Sequence, residues 1–411
     1  MIKKFNLINN KDFLFLWLGH SISIFGDSVY SIAVMWYVML VTGSTVQMGI
    51  SLIFSQVPIV LLSPIAGVIA DRFNRKKILI ICDIISGILI GVVFILSLSG
   101  LLKIWIIYAI SFSIASIGAF FSPSINAVIP SIVKKEDLPI ANSMNQLTRF
   151  SCGIVGPALA GVLIAVTGVK ILFIINSISF IISSIFEIFI NVATVSKDKE
   201  KTNNNLIKSF IEDLKEGFIY CINTKVIFFF MIVAGIIVNF LTAPLDIYIP
   251  IYSSKILKSN SSAYGLLIAI IAVGGIASSL ISPIITKKIK HYYLLTIGVA
   301  GEGIFMISFA LSKNLITAAI SLLLLGCSFG ITNSSLSIIM QTLIPNEIMG
   351  RVSSVFGMIA GATVPLGYFI GGIISKMYVV TSIVLASGII VTIAGISTIK
   401  ITNKEVNKGI I

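Results

Sequence analysis

The feature that most constrains this chain is a succession of twelve long apolar segments separated by short polar breaks. A helix needs roughly 20 apolar residues to cross the hydrocarbon core of a bilayer, and each segment is long enough to do so with some tilt. The segments lie near residues 13–41, 46–70, 78–99, 104–128, 138–165, 171–191, 226–254, 262–286, 292–312, 315–340, 351–375 and 379–400. The sequence therefore predicts an all-α membrane protein with twelve transmembrane helices.

Composition supports this prediction and excludes several classes of function. The chain is 57% hydrophobic and 11% charged, whereas soluble proteins carry about 25% charged residues. A soluble enzyme with one anchor is excluded, and no stretch is long enough for a separate catalytic domain. A net charge of +13 would suggest nucleic-acid binding in a soluble chain. Here we expect no nucleic-acid partner, because the basic residues are accounted for by membrane topology.

The basic residues are distributed unevenly between the two predicted sides of the membrane. If the N-terminus is inside, most of the 29 Lys and Arg residues fall in inner loops, as positively charged loops resist translocation. Trp17, Trp36 and Trp105 lie near predicted span ends, where aromatic residues prefer the headgroup level. The sequence therefore predicts a multi-pass protein with both termini cytoplasmic.

One sizeable polar break divides the chain into two halves. Residues 196–225 are predicted to be a cytoplasmic linker between six-helix bundles formed by residues 1–195 and 226–411. Ser63-Pro64-Ile65 recurs as Ser282-Pro283-Ile284, which indicates a parallel repeat of the two bundles. The linker contains an amphipathic helix with apolar residues four apart. Its apolar positions are Leu206, Phe210, Leu214 and Phe218. Both a place on the inner membrane surface and a solvated connector agree with this pattern.

The break between the second and third spans carries the most specific motif. It reads from Gly67 through Asp71-Arg72 to Arg75-Lys76-Lys77, and it resembles the loop signature of the major facilitator superfamily of secondary transporters. Asn74 stands where that family usually has Gly, and we expect it to adopt the left-handed conformation of the turn. The resemblance implies that Asp71 meets the start of the eleventh span and that Arg75 helps to hold the halves together on the cytoplasmic side. The alternative is that these cations only determine topology.

The fifth span carries a second motif, formed by Gly156, Pro157 and Gly161. It resembles the antiporter motif of drug and proton exchangers, in which small residues let helices approach closely and Pro bends the helix at a gate. Ordinary tight packing explains the stretch nearly as well. Across both halves the chain is similar to the drug:proton antiporter subfamily that includes macrolide and siderophore exporters.

Ionisable and polar residues inside the bilayer are candidates for function because they are costly to bury there. Asp27 in the first span is the first candidate for binding a proton or a cationic substrate, and Glu302 in the ninth span is the second. Asn239 lies at a depth comparable to that of Asp27, in the seventh span. Arg149 in the fifth span either holds an anion or forms a structural ion pair with Asp83 or Glu187. For Asp27 and Glu302 the alternative is a carboxyl neutralised by a packing partner.

His20 lies two helical turns before Asp27 and therefore on the same helix face. It is either a proton-relay partner of Asp27 or a hydrogen-bonded structural histidine. We expect an apolar, aromatic cavity, with Phe25, Tyr30, Trp36, Phe240 and Phe305 as lining candidates. A carrier of polar solutes would require more amides and charges than Asn126, Asn176 and Asn239 provide.

The resemblance implies a transporter that exports a hydrophobic or amphipathic small molecule, such as a macrolide-like drug, in exchange for protons. We expect alternating access of two halves around a central cavity, with no cofactor, no metal and the proton gradient as energy source. The expected partners are the small-molecule substrate and the lipid bilayer, around a monomer in the plasma membrane of a bacterium. An importer or exporter of a polar metabolite or siderophore is the alternative. A membrane-embedded enzyme is disfavoured, since no catalytic motif stands in a usable setting.

Overall fold

The described part of the protein consists mainly of long helices. The computed structural model describes residues 7, 10–192, 206–286 and 289–406, with the side chains at 64, 68, 71, 206–211, 283 and 400–406 excepted. No β-strand occurs in these ranges, and twelve helical spans are long and apolar enough to cross a membrane, which confirms the predicted fold class. The helices are α1 Lys11–Thr42, α2 Thr45–Arg72, α3 Arg75–Leu98, α4 Ile104–Ile132, α5 Leu138–Thr167, α6 Lys170–Ile188, α7 Leu206–Asn223, α8 Lys225–Ile256, α9 Ser261–Ile285, α10 His291–Leu311, α11 Leu315–Leu343, α12 Met349–Ile374 and α13 Val380–Val406.

Short polar residues begin several of the helices. Asn10, Asn74 and Asn314 each accept a hydrogen bond from the backbone N–H three residues later, at the starts of α1, α3 and α11. Gly43 ends α1 in the left-handed conformation, with φ of 58°. The left-handed conformation expected for Asn74 is wrong: its φ is −66° and its ψ is 107°. Asn at this position is explained by capping, because its side chain satisfies the N–H of Lys77 at 3.1 Å.

The span α8 is irregular, unlike its neighbours. Two stretches, Met231–Val238 and Tyr252–Ile256, have the wider π-helical turn, and a turn before Leu245 interrupts the helix. Pro244 lies at this break, where its missing N–H removes one backbone hydrogen bond. π-Helical turns of this kind are often found at functional sites.

The chain forms two compact units. The first comprises Met1–Asp198 and Ser259–Ala269, and the second comprises Lys199–Lys258 and Ile270–Ile411. In the first unit α1 packs on α5 and α6, α2 packs on α4, and α3 packs on α4 and α6. In the second unit α10 packs on α11 and α13, and α12 packs on α7 and α8.

The linker helix α7 packs against protein in the second unit. Leu214 and Cys221 belong to an apolar cluster that includes Val352 and Val355 of α12. A Cβ atom on Gly217 would lie 2.7 Å from the backbone oxygen of Arg351, so a glycine is needed for this close contact. The sequence left two alternatives for this helix, a place on the membrane surface or a solvated connector. Neither of them included the packing against α12. Phe218 of the same helix is exposed, whereas the side chains of Leu206 and Phe210 lie outside the described residues.

Two charge-assisted contacts fix α7 to the start of α12. Arg351 Nε lies 2.7 Å from Asp213 Oδ1, and Arg351 Nη1 lies 2.7 Å from Glu216 Oε2. Asp213 and Glu216 are three residues apart and therefore share one face of the helix. All three side chains are more than a third exposed, so solvent screens the pair and its contribution is small.

We predict that Arg351→Ala loosens the docking of α7. The loss of the two contacts should destabilise the docked helix by about 1 kcal/mol, which is about fivefold in its opening equilibrium. Hydrogen exchange of the amides in 212–223 should rise accordingly. Lys225→Ala is the matched control, because Lys225 is an exposed cation at the start of α8. Equal exchange in the two variants would show that Arg351 does not hold the helix.

Candidate functional site

Asp27 lies on α1 and is held by a single amide donor. The amide Nδ2 of Asn176 in α6 donates to Asp27 Oδ1 at 3.3 Å. Asn176 is fully buried, and its Oδ1 accepts from the hydroxyl of Ser179 at 3.0 Å. Since the Asn176 oxygen is occupied by Ser179, the amide nitrogen faces the carboxyl group. The Asp27 side chain itself is exposed, so it is open to a ligand as well as to Asn176.

Gly26 allows the helices carrying Asp27 and Asn176 to approach each other. A Cβ atom at this position would lie 2.0 Å from Ser179 Oγ and 2.3 Å from Asn176 Oδ1. Any larger side chain would therefore displace the two groups that orient the amide. The carboxyl site depends on a small residue next to it in sequence.

A cavity of about 90 Å³ opens beside Asp27 within the first unit. Its polar lining residues come from two helices. They are His20, Ser23 and Asp27 of α1, and Asp83 and Ser86 of α3. Its remaining walls are mainly apolar, from α4 and from Phe180 of α6. The volume is sufficient for ordered water, which needs polar partners of this kind.

A second and larger cavity, of about 250 Å³, is also lined by His20. Polar and charged residues dominate its lining. These residues are His20, Asn126, Asn142, Asn145, Gln146 and Arg149. His20 is shared by both cavities, is 7% exposed, and its Nδ1 has no hydrogen-bond partner among the described residues. The structure therefore does not show the bonded structural histidine that the sequence left as an alternative.

The larger of these two cavities differs from the apolar, aromatic lining expected from the sequence, whereas the smaller one is largely apolar and includes Phe121 and Phe180. None of Phe25, Tyr30, Trp36, Phe240 and Phe305 lines either of them. Trp36 is 7% exposed and stacks on Tyr264, with ring centroids 5.7 Å apart. Asn126, one of the amides named from the sequence, lines the larger cavity. Asn142, Asn145 and Gln146 were missed as lining residues, although with Arg149 they have the spacing of one helix face.

Arg149 is exposed on α5 and lies beside His20 in the larger cavity. It forms no ion pair with Asp83 or Glu187, which are both buried elsewhere in the first unit. The guanidinium group is therefore available to an anionic group in the cavity. A guanidinium fork suits carboxylates, which it binds through two parallel hydrogen bonds.

Glu302 is placed in the second unit and is fully buried in α10. Neither carboxyl oxygen has a hydrogen-bond partner among the described residues. Thr332 of α11 lies nearby, and a Cβ atom on Gly298 would lie 2.5 Å from its hydroxyl. Glu302 lines neither cavity, so its surroundings resemble a packed helix interface.

Asn239 forms hydrogen bonds with the irregular part of α8. Its Nδ2 donates to the backbone oxygens of Ala234 and Gly235, each at 3.1 Å. These carbonyls belong to the π-helical stretch, where regular backbone pairing is disturbed. The amide hydrogens of Asn239 thus stabilise the distorted helix.

The loop motif between α2 and α3 is held within the first unit. Arg75 donates from Nε to the Ala70 oxygen at 3.1 Å and from Nη1 to the Ala127 oxygen at 3.2 Å, which ties α2 to α4. Arg72 is exposed, and a Cβ atom on Gly67 would meet no atom within 4 Å. The Asp71 side chain lies outside the described residues. Its predicted contact with the start of the eleventh span stays a prediction.

The antiporter-like motif of α5 is a site of close helix packing. A Cβ atom on Gly156 would lie 2.4 Å from Ser28 Cβ, and one on Gly161 would lie 2.5 Å from the Ser261 oxygen. The hydroxyl of Ser261 donates to the Gly161 oxygen at 3.0 Å. Pro157 is buried, and its oxygen would be 2.1 Å from a Cβ atom on Gly265. All these residues belong to the first unit.

A sequence profile described as transmembrane secretion effector, a family of major facilitator transporters, matches residues 3–409. The chain belongs to this family. This secretion effector homologue is a multi-pass membrane transporter and not an enzyme.

Individual relatives and solved structures agree with the family. Macrolide efflux protein A of Streptococcus pyogenes is 24% identical over 382 residues, which cover 92% of this chain and 93% of that protein. The staphyloferrin A transporter of Staphylococcus aureus is also 24% identical, covering 92% and 91%. The crystal structure of the nucleoside transporter NupG matches with a TM-score of 0.75 at 14% identity, covering 94% and 98%. This last similarity shows the major facilitator fold.

We predict that Gly26→Ala destabilises the protein and disturbs the Asp27 site. The added methyl group collides with Ser179 and Asn176, and overpacking of this kind costs about 1–3 kcal/mol. Gly153→Ala on α5 is the control, because a Cβ atom there meets nothing within 4 Å. The control should be neutral or stabilised by up to about 1 kcal/mol. Thermal unfolding in detergent measures both variants, and equal midpoints would contradict the close contact.

Proposed function

We propose that this secretion effector homologue exports amphipathic cationic molecules, with macrolide-like drugs as the expected class, in exchange for protons. The observation that carries the proposal is the exposed carboxyl group of Asp27, which has one neutral amide donor and no cation partner among the described residues. Such a group in a membrane span takes up either a proton or a cationic ligand. Because the proton and the cationic ligand compete for one carboxyl group, the transport of one is coupled to the transport of the other.

Competition at Asp27 fits an alternating-access cycle. When Asp27 is protonated the site is neutral and the cationic substrate leaves. When Asp27 is ionised it attracts the substrate cation, and each ligand favours one of the two access states. The similarity to macrolide efflux protein A supports both the direction of transport and the substrate class.

We further propose the orientation and setting that this cycle needs. Both termini lie in the cytoplasm, which agrees with the excess of Lys and Arg in the inner loops. The protein works as a monomer in the plasma membrane of a bacterium. No cofactor takes part, and the proton gradient supplies the energy.

We predict that Asp27→Asn abolishes gradient-driven transport. Proteoliposomes with an imposed pH gradient measure the accumulation of a panel of lipophilic cations and macrolides. A gradient of one pH unit is worth about 1.4 kcal/mol per proton, or about tenfold in accumulation. This enhancement should be present in the wild type and lost in the variant.

Asp246→Asn is the matched control for this experiment. Asp246 is also an exposed carboxyl group on a membrane span, and it accepts a hydrogen bond from the Tyr368 hydroxyl at 2.7 Å. Accumulation by the Asp246→Asn variant should depend on the pH gradient as it does in the wild type. Wild-type transport that does not depend on the pH gradient, or unimpaired gradient-driven transport by Asp27→Asn, would show that Asp27 does not couple transport to protons.

The larger cavity favours a second candidate function, the export of a polar, carboxylate-bearing solute such as a siderophore. Four amides and Arg149 line this cavity. These side chains can form hydrogen bonds with a carboxylate, whereas an apolar drug would leave them without partners. The similarity to the staphyloferrin A transporter supports this alternative. Both candidates use the same transporter fold but different cavities of the first unit.

We predict for this second candidate that Arg149→Gln weakens the binding of a polycarboxylate. A hydrogen bond to a charged group contributes about 1.5–3 kcal/mol, so affinity should fall by about 10- to 100-fold. Citrate serves as the probe, and its binding is measured by the shift in thermal midpoint with concentration. Lys134→Gln, at an exposed cation outside the cavity, should bind citrate as the wild type does. A wild type that does not bind citrate would exclude this candidate.

A further inference from the structure

Two buried carboxyl groups of the first unit have no part in the function proposed above. Asp83 of α3 is 1% exposed and Glu187 of α6 is 0% exposed, and the two groups interact electrostatically. Asp83 Oδ2 and both carboxyl oxygens of Glu187 have no hydrogen-bond partner among the described residues. We refer to these two side chains as the carboxyl pair.

The pair cannot be ionised at both positions. Each carboxylate would be taken from water into a low-dielectric interior, and the two negative charges would repel each other. Glu187 is also in the last turn of α6, where the helix dipole disfavours a negative charge. A proton bound by one of the two groups removes one of these charges and with it the repulsion, and it belongs to the two groups together.

The charged groups around the pair do not neutralise it. Lys76, at the start of α3, donates to the backbone oxygen of Ile188 at 2.7 Å and forms no ion pair with either carboxyl group. From α1 the titratable neighbours are His20 and Asp27, and α3 adds Cys82. The α4 residues that line the adjoining cavity carry no titratable group, and Arg149 of α5 acts on His20.

Polar side chains of α6 form a row that leads from the pair to Asp27. Asn176, Ser179, Ser183 and Glu187 follow one another on one buried face of α6. Ser183 is 0% exposed, lies beside Asp83, and its hydroxyl has no hydrogen-bond partner among the described residues. At one end of this face Asn176 donates to Asp27.

The smaller cavity provides the rest of the connection. Asp27 and Asp83 both line it, together with Ser23 and Ser86, and its 90 Å³ can hold water. Water between two carboxyl groups passes a proton by exchanging its own hydrogens. A structural pair sealed in a dry core would have no such route.

We propose that the carboxyl pair is a second proton-binding site, which exchanges its proton with the water of the cavity that Asp83 shares with Asp27. The proposal rests on the proton-coupled function proposed for Asp27. Before the cationic substrate binds, the O–H bond of protonated Asp27 breaks and its proton passes to cavity water, and one proton of the neutral pair leaves in the same way. Asp27 is then a carboxylate that binds the cation. After the substrate has left on the other side of the membrane, Asp27 and the pair each take up one proton from water there. Two protons are therefore exchanged in each transport cycle.

The number of protons is measured from the slope of the logarithm of substrate accumulation against the imposed pH difference. Membrane potential is held at zero with K⁺ and valinomycin in proteoliposomes. The wild type should show about a hundredfold accumulation per pH unit. Glu187→Gln and Asp83→Asn should each show about tenfold, because one of two protons is lost. Glu136→Gln, at an exposed carboxyl group of the loop before α5, should behave as the wild type.

An infrared measurement tests the pair without transport. The wild type in lipid nanodiscs at neutral pH should show the C=O band of a protonated carboxyl group that shifts in D₂O. In difference spectra against the wild type, Glu187→Gln and Asp83→Asn should each change this band, because the proton of the pair then belongs to the remaining carboxyl group alone. If one variant does not give monodisperse protein, the other variant and the wild-type band decide the result.

The outcomes separate this inference from the function proposed above. Unchanged slopes in both variants, or a protonated band that does not exchange with D₂O, would overturn the second site and leave a structural pair. Accumulation that follows an imposed Na⁺ gradient instead would overturn the proton as its ligand. A wild-type slope of zero would refute proton-coupled export itself, and the infrared band would still decide whether the pair binds an exchangeable proton.

Discussion

The absence of water from the hydrocarbon core of the bilayer is the constraint on which the rest of this structure depends. Every backbone N–H and C=O group in the core must find a partner within the protein, and long helices provide one for nearly all of them. Where the helix of α8 is distorted, a side chain supplies the missing donor: Asn239 binds two carbonyls of the π-helical stretch. The same constraint makes each buried ionisable group costly, so their few positions carry information about function.

Close helix contact replaces the hydrophobic effect as the force that assembles the helices. Lipid tails are as apolar as Leu, so helices associate through packing and hydrogen bonds between them. Gly26 and Gly161 show both parts of this principle. Each leaves room for a neighbouring helix: Gly26 lies against the Ser179 hydroxyl, and the Gly161 oxygen accepts a hydrogen bond from the Ser261 hydroxyl. The antiporter-like motif therefore has a clear packing role in the first unit, whatever it adds to transport.

The polar groups of the first unit are organised around α1, α3, α5 and α6. Asp27 faces an amide on α6, His20 lines two cavities, and the amide face of α5 lines the larger one. An exposed carboxyl group, on Asp27, and an exposed guanidinium group, on Arg149, thus both occur in the first unit.

The sequence by itself determined the twelve spans, the linker helix and the family, because hydropathy, helical period and a short loop motif are local properties. It also singled out Asp27 and Arg149, since any charge within an apolar segment is conspicuous. Only the tertiary structure decided what these groups meet. The bond from Asn176 to Asp27, the amide-lined cavity and the docking of α7 on Arg351 depend on the rotation and axial shift of each helix against its neighbours. That register is set by packing of small residues from distant parts of the chain, which hydropathy does not encode. The extended Asn74 illustrates the same limit on a smaller scale, because a turn residue and a helix cap are chemically alike until the backbone is placed.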